Sequence, residues 1–247
     1  MRLLPAIDIR SGRCVRLLRG REDAETVYGD DPVAVADSWV AQGAEWLHIV
    51  NLDGAFGRAS DNLTFVRKIA SARKAKIEFG GGLRSEDDVK YAFDLGVDKV
   101  VLGTLAVADR AALHRILESY GASRVVVALD ARNGVVTTNG WTSTSGISVL
   151  DAALEFQNAG VHEVLYTDVG RDGTLSGPDM PRLQELFRET SLDVIASGGI
   201  GSLEDLRLLA GLHEDHLRGA IVGKALYEKK FTYREAVEAA RVGYPRG

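Results

Sequence analysis

Cysteine is nearly missing from this chain: Cys14 is the only one in 247 residues. One thiol cannot close an internal disulfide, so the sequence suits a reducing compartment. Histidine is also sparse. Five scattered histidines and one cysteine show no metal-ligand spacing, so no metal site is expected. No apolar run approaches the roughly 18 residues that a membrane span needs. The start, MRLLPAIDIR, is too short and too soon charged to read as a signal peptide. There is no basic excess either. The net charge is −5, which argues against nucleic-acid and membrane partners. An anionic small molecule stays open, because local basic groups decide that. The expectation is a cytoplasmic protein with a small-molecule partner and no obligate protein partner.

What is present is a repeated alternation. Short apolar runs occur at Leu3 to Asp8, Trp46 to Asn51, Lys76 to Phe79, Lys99 to Leu102, Val125 to Asp130, Val164 to Thr167, Val194 to Ala196 and Ala220 to Val222. Continuous apolar runs of this length fit parallel strands buried on both faces. Amphipathic stretches fall between them. Asp31 precedes Pro32 as an N-cap, and Gly43 supplies the stop. Ser85-Glu86-Asp87-Asp88 and Ser202-Leu203-Glu204-Asp205 are capping-box patterns. Strict βα alternation predicts a parallel sheet, and eight units without a linker predict a closed (β/α)8 barrel. Such a barrel needs about 250 residues, so one domain over residues 1–247 is expected.

The two halves echo each other. Phe79 to Ser85 resembles Ala196 to Ser202, and Val101 to Thr104 resembles Ile221 to Lys224. Val50 to Gly54 resembles Tyr166 to Gly170, and Asp8 after the first strand matches Asp130 after the fifth. The pattern reads as two (βα)4 half-barrels.

This duplication gives the candidate site. Gly81 and Gly82 follow the third strand, and Gly103-Thr104 the fourth. Gly198-Gly199 and Gly223-Lys224 repeat them after the seventh and eighth, where barrels often bind phosphate. Glycine lets backbone N–H groups approach an anion. One such turn alone serves a tight connection equally well. Two matched pairs point to a substrate with a phosphate at each end. Asp8 and Asp130 each end a strand at the catalytic face, suited to act as base and acid. Thr167 ends the sixth strand and is placed to orient a carboxylate or the substrate. Asp172 is placed to bond sugar hydroxyls, to donate a proton, or simply to form a turn before Gly173. Arg16 and Arg19 lie in the long segment from Arg10 to Asp31, read as a lid over an anion or as a charged hairpin. Trp141 is placed to stack on a flat heteroaromatic ring. His48, inside the second strand, reads as structural.

Pro5-Ala6-Ile7-Asp8, Gly12 to Leu17, Gly80 to Arg84, Val127 to Asp130, Thr167-Asp168, Asp172 to Thr174, Ser197 to Ile200 and Gly223 to Leu226 resemble the HisA family of histidine-biosynthesis isomerases over essentially the whole chain. The resemblance implies a TIM barrel that carries out an Amadori rearrangement, aminoaldose to aminoketose, on a bisphosphate. By the same resemblance Asp8 is the base, Asp130 the acid, and Thr167 the acid's support. Asp172 contacts substrate, or takes the acid role as in some relatives, and Trp141 stacks on the imidazole carboxamide. No cofactor is implied. Asn51 departs from the family, which usually carries Asp there. Leu217 to Thr232 looks like a bifunctional relative that also isomerises phosphoribosylanthranilate. The sister cyclase usually has Cys-Leu-Asp where Ala6-Ile7-Asp8 stands. A non-catalytic phosphosugar-binding barrel would have no need of both aspartates.

Overall fold

The structure is a computed structural model that describes Met1–Arg241. Its strands in chain order are β1 (Arg2–Arg10), β2 (Arg13–Leu18), β3 (Arg21–Gly29), β4 (Trp46–Asn51), β5 (Lys76–Gly80), β6 (Lys99–Leu102), β7 (Val125–Arg132), β8 (Val135–Thr138), β9 (Ser143–Ser148), β10 (Glu163–Asp168), β11 (Asp193–Ser197) and β12 (Leu217–Val222). Eight of these are parallel and ordered β10-β11-β12-β1-β4-β5-β6-β7, and β7 pairs back with β10. That last pairing closes the sheet, so the fold is a (β/α)8 TIM barrel with helices between the barrel strands.

Local chemistry explains the elements. Val125 to Leu129 is an unbroken apolar run, and all five residues are buried. The helix Pro32–Ala41 starts where the Asp31 side chain accepts the N–H of Val33 at 2.9 Å. It stops before Gly43, whose φ of +101° a β-carbon would oppose. Both capping boxes form: Ser85 with Asp88, and Ser202 with Asp205. Each satisfies two amide groups that the first helical turn leaves unpaired.

Four strands lie outside the barrel. The segment Arg10 to Asp31 is not an irregular loop but a hairpin, β2–β3, folded back antiparallel onto β1. β8–β9 folds back onto β7 in the same way. These hairpins follow equivalent strands of the two halves, so the duplication extends beyond the barrel. One echo shifts by a residue. Asp8 pairs with Val50 and Asp130 pairs with Thr167. With the two aspartates equivalent, Val50 matches Thr167, and Asn51 matches Asp168 rather than Thr167.

The barrel has two apolar layers. Leu4, Ala6, Val101, Val126, Ala128, Leu165, Ile195 and Ile221 fill the inside, while a larger cluster lies between sheet and helices. The end opposite the catalytic face is closed by charge. Glu163 accepts hydrogen bonds from both Arg2 and Lys99, and Arg2, Lys76 and Lys99 surround the Trp46 ring. No helix among the described residues is long and apolar enough to cross a membrane.

Candidate active site

Parallel strands bring every C-terminal end to one face, so Asp8 on β1, Asp130 on β7 and Thr167 on β10 share one rim. They line a single cavity of about 1220 Å³, counting the part open to solvent. Arg16, Trp141 and Asp172 line it as well. The space is large enough for a ligand with two phosphorylated sugar arms.

Arg16 is not on a mobile rim. The chain reverses at Ser11-Gly12, both at positive φ, and β2 carries Arg16 back beside Asp8. Its Nη1 donates to Asp8 Oδ2 at 2.7 Å and its Nη2 to Asp172 Oδ1 at 3.3 Å. The guanidinium is buried against Gly223. A β-carbon there would lie 2.7 Å from Arg16 Cζ. Arg16 therefore ties together the base candidate, Asp172 and one glycine turn. Arg19 is exposed at the hairpin turn and does not line the cavity, although its backbone N–H donates to the Asp172 carbonyl at 3.1 Å.

Burial pushes the Asp172 carboxyl up to about 6. Arg16 opposes this shift, and the negative charges of Asp8 and Asp130 add to it. The folded protein thus holds this proton more tightly than the unfolded chain, whose ordinary value is 3.8. Stability contributed by the protonated form is complete below 3.8 and is lost as pH rises through about 6. Asp172→Asn keeps a neutral side chain throughout. Its stability advantage over wild type should therefore widen between about pH 4 and about pH 7, read from urea midpoints. A constant difference across that range would contradict the shift.

Asp130 is also raised, by burial first. Hydrogen bonds from the Trp141 indole and the Thr167 hydroxyl, and the charge of His48, pull against that. A shift in that direction favours the protonated form that a general acid needs. Thr167 is the cross-strand partner of Asp130 on the neighbouring barrel strand. Trp141 stands at the cavity mouth. Its backbone φ is +68° at the β8–β9 turn, and it lines the cavity with Asp130. Its ring also packs on Gly20 of the β2–β3 turn, where a β-carbon would lie 2.4 Å from Cε3.

The glycine turns flank these groups. Gly81, Gly82, Gly103 and Thr104 border the main cavity. Gly198, Gly199, Gly223 and Lys224 border a smaller neighbouring one, and Arg16, Asp172, Ser197 and Ile221 line both. Gly81 and Gly198 are equivalent in detail. Each has a positive φ, and a β-carbon would meet the carbonyl oxygen of Asn51 at 2.3 Å or of Asp168 at 2.6 Å. Asp168 caps its turn by accepting from Gly170 N–H at 2.8 Å and Arg171 Nε at 3.1 Å. Asn51 accepts from Gly54 N–H at 3.1 Å and Asn62 Nδ2 at 2.9 Å. The amide retains the cap without the charge. Thr104 Oγ1 accepts the Asn139 N–H at 2.9 Å, so the β8–β9 turn reaches over this grip.

Ser197 and His48 are among the cavity residues that were not expected in the site. Ser197 follows from the strand end that carries Gly198. His48, read from sequence as structural, borders the cavity with Asp8 and Asp130. The available signal was a polar residue at an alternate position of an apolar strand, matched by Glu78 on the next. Among the described residues no group of three or more His, Cys, Asp or Glu gathers to hold a metal.

Comparison with known proteins agrees with this geometry. A family model described as "Histidine biosynthesis protein" matches residues 2–232. The chain is 45% identical over 237 residues, 96% of each chain, to a protein of Geobacillus thermodenitrificans named 1-(5-phosphoribosyl)-5-((5-phosphoribosylamino)methylideneamino) imidazole-4-carboxamide isomerase. Proteins of the same name from Chloroflexus aurantiacus and Bacillus subtilis are 46% and 44% identical, with coverage of 98% and 97% of this chain and 99% and 97% of theirs. With barrel, duplicated turns and full-length similarity in agreement, the chain belongs to the histidine biosynthesis protein family.

Proposed function

We propose that this protein is the isomerase its relatives are named for. It converts the bisphosphate 1-(5-phosphoribosyl)-5-((5-phosphoribosylamino)methylideneamino) imidazole-4-carboxamide from aminoaldose to aminoketose. It works as one barrel domain spanning the chain, in the cytoplasm. The observation that carries the reading is the opening of Asp8 and Asp130 onto one cavity between two glycine-turn pairs. Gly81, Gly82, Gly103 and Thr104 hold one phosphate, and Gly198, Gly199, Gly223 and Lys224 hold the other. Asp130 protonates the ribose ring oxygen, and the nitrogen lone pair opens the ring to an iminium. Asp8 then removes the C2 proton, and the electron pair moves to nitrogen to give an enolamine. Arg16 orients Asp8 and Asp172, Arg19 steadies the Asp172 loop through its backbone N–H from outside the cavity, and Trp141 covers the imidazole.

Incubating purified protein with this bisphosphate should give the open-chain ketose, seen as a new carbonyl carbon by NMR. No conversion would end the reading. Phosphoribosylanthranilate, with one phosphate, should be turned over with much lower kcat/KM. Comparable efficiency would reveal a second activity.

A further inference from the structure

The wall beneath the two aspartates is apolar, built from Ala6, Val101, Ala128, Leu165, Ile195 and Ile221. One polar pair interrupts it. His48 and Glu78 are cross-strand partners on β4 and β5, and His48 Nδ1 lies 2.8 Å from Glu78 Oε1. Glu78 is fully buried, and its Oε2 has no partner among the described residues. A buried carboxyl with one partner is a poor stabiliser, and packed apolar side chains would hold this layer as well or better. Stability alone therefore does not account for the pair.

The bonding fixes the chemistry. With Nδ1 donating to the Glu78 carboxylate, the neutral imidazole presents a lone pair at Nε2, and this is the form the step below uses. Among the described residues nothing bonds Nε2, and the ring borders the cavity that holds both aspartates. His48 and Asp130 border the same cavity. A carboxylate-backed imidazole facing a reacting centre is the arrangement that draws a proton from a hydroxyl.

We propose that His48, oriented by Glu78, is a further catalytic residue that takes the proton of the substrate's C2 hydroxyl as the enolamine collapses to the ketone. This deepens the isomerase reading and rests on it. The C2 O–H bond breaks, and its electron pair forms the carbonyl π bond. The C1–C2 π electrons take the proton that Asp8 removed from C2, so Asp8 returns to a carboxylate. His48 passes its new proton to Asp130, which gave one to the ring oxygen. The cycle closes with no proton gained or lost.

The test is run in D2O with the full chain. Two rates are measured: product formation, and gain of deuterium at C2 of recovered substrate. In His48→Gln, ring opening and C2 deprotonation remain but collapse is slow. Product formation should fall about 100-fold, while exchange falls much less, so the exchange-to-product ratio rises about tenfold or more. Glu78→Gln keeps an acceptor for Nδ1 without the charge and should raise the ratio less. A purely structural His48 would slow both processes together, and an unchanged ratio in folded His48→Gln overturns the proposal. If that variant does not fold, an unchanged ratio in Glu78→Gln overturns it. Wild type that fails to convert the bisphosphate defeats the isomerase reading itself; active wild type with an unmoved ratio defeats only the role of His48.

Discussion

Asp8→Asn protein should bind the bisphosphate nearly as well as wild type and turn it over about 1,000-fold more slowly, or worse. The amide keeps an oxygen for Arg16 Nη1, which donates to Asp8 Oδ2 at 2.7 Å, so the local scaffold survives. It removes the lone pair that accepts the C2 proton. Binding by calorimetry and turnover by single-turnover kinetics separate the two effects. Lost binding with unchanged turnover per bound complex would assign Asp8 to recognition instead. The unequal surroundings of the two carboxylates fit the proposed division of labour. Asp8 shares a guanidinium with Asp172, whereas Asp130 is pushed up by burial and receives only neutral donors and the charge of His48.

Gly199→Ala should strike recognition rather than chemistry. A β-carbon there would lie 2.1 Å from the Gly177 carbonyl oxygen, on a backbone at φ +84°. The obstacle is backbone, and Gly177 N–H also donates to Gly199 O at 2.9 Å, so the turn must rearrange. Charge-assisted bonds to one phosphate are worth about 1.5–3 kcal/mol each. Losing one or two should raise KM about 100-fold, with kcat reduced less. Gly160→Ala is the control, since its φ is +86° and nothing lies within 4 Å of the added carbon. It should lose about 1 kcal/mol of stability and keep its KM. Equal KM in the two variants would remove the β11 turn from the phosphate site.

The barrel strands were legible because burial on both faces writes itself as apolar runs. Trp46–Asn51 and Lys99–Leu102 coincide with expectation. The β8–β9 hairpin was not, and the β2–β3 segment was legible only as a lid or a charged hairpin. β3 reads REDAETVYG and has no buried residue, so it carries no inside-outside alternation to see. Asp8, Asp130 and Thr167 were legible from strand-end position and duplication. The bridge from Arg16 to Asp8 and Asp172 was not, because it depends on a chain reversal at Ser11-Gly12 and on a loop 156 residues away. Trp141 was placed in the mouth, but its left-handed backbone at the β8–β9 turn is a feature that only coordinates reveal. The Glu78–His48 dyad was hidden by pleat phase: the residues that face inward depend on the shear of the closed sheet.

The closed hoop has a metrical consequence. β10 pairs with both β7 and β11, so no edge exists at which the barrel can be pried wider without rupturing backbone pairing. The gap between the β5/β6 turns and the β11/β12 turns is therefore set by the entire circumference, not by any single connection. If the two turn pairs hold the two phosphates as proposed, the barrel's girth fixes the spacing of their anchor points, and ligand length becomes a property that the fold itself measures.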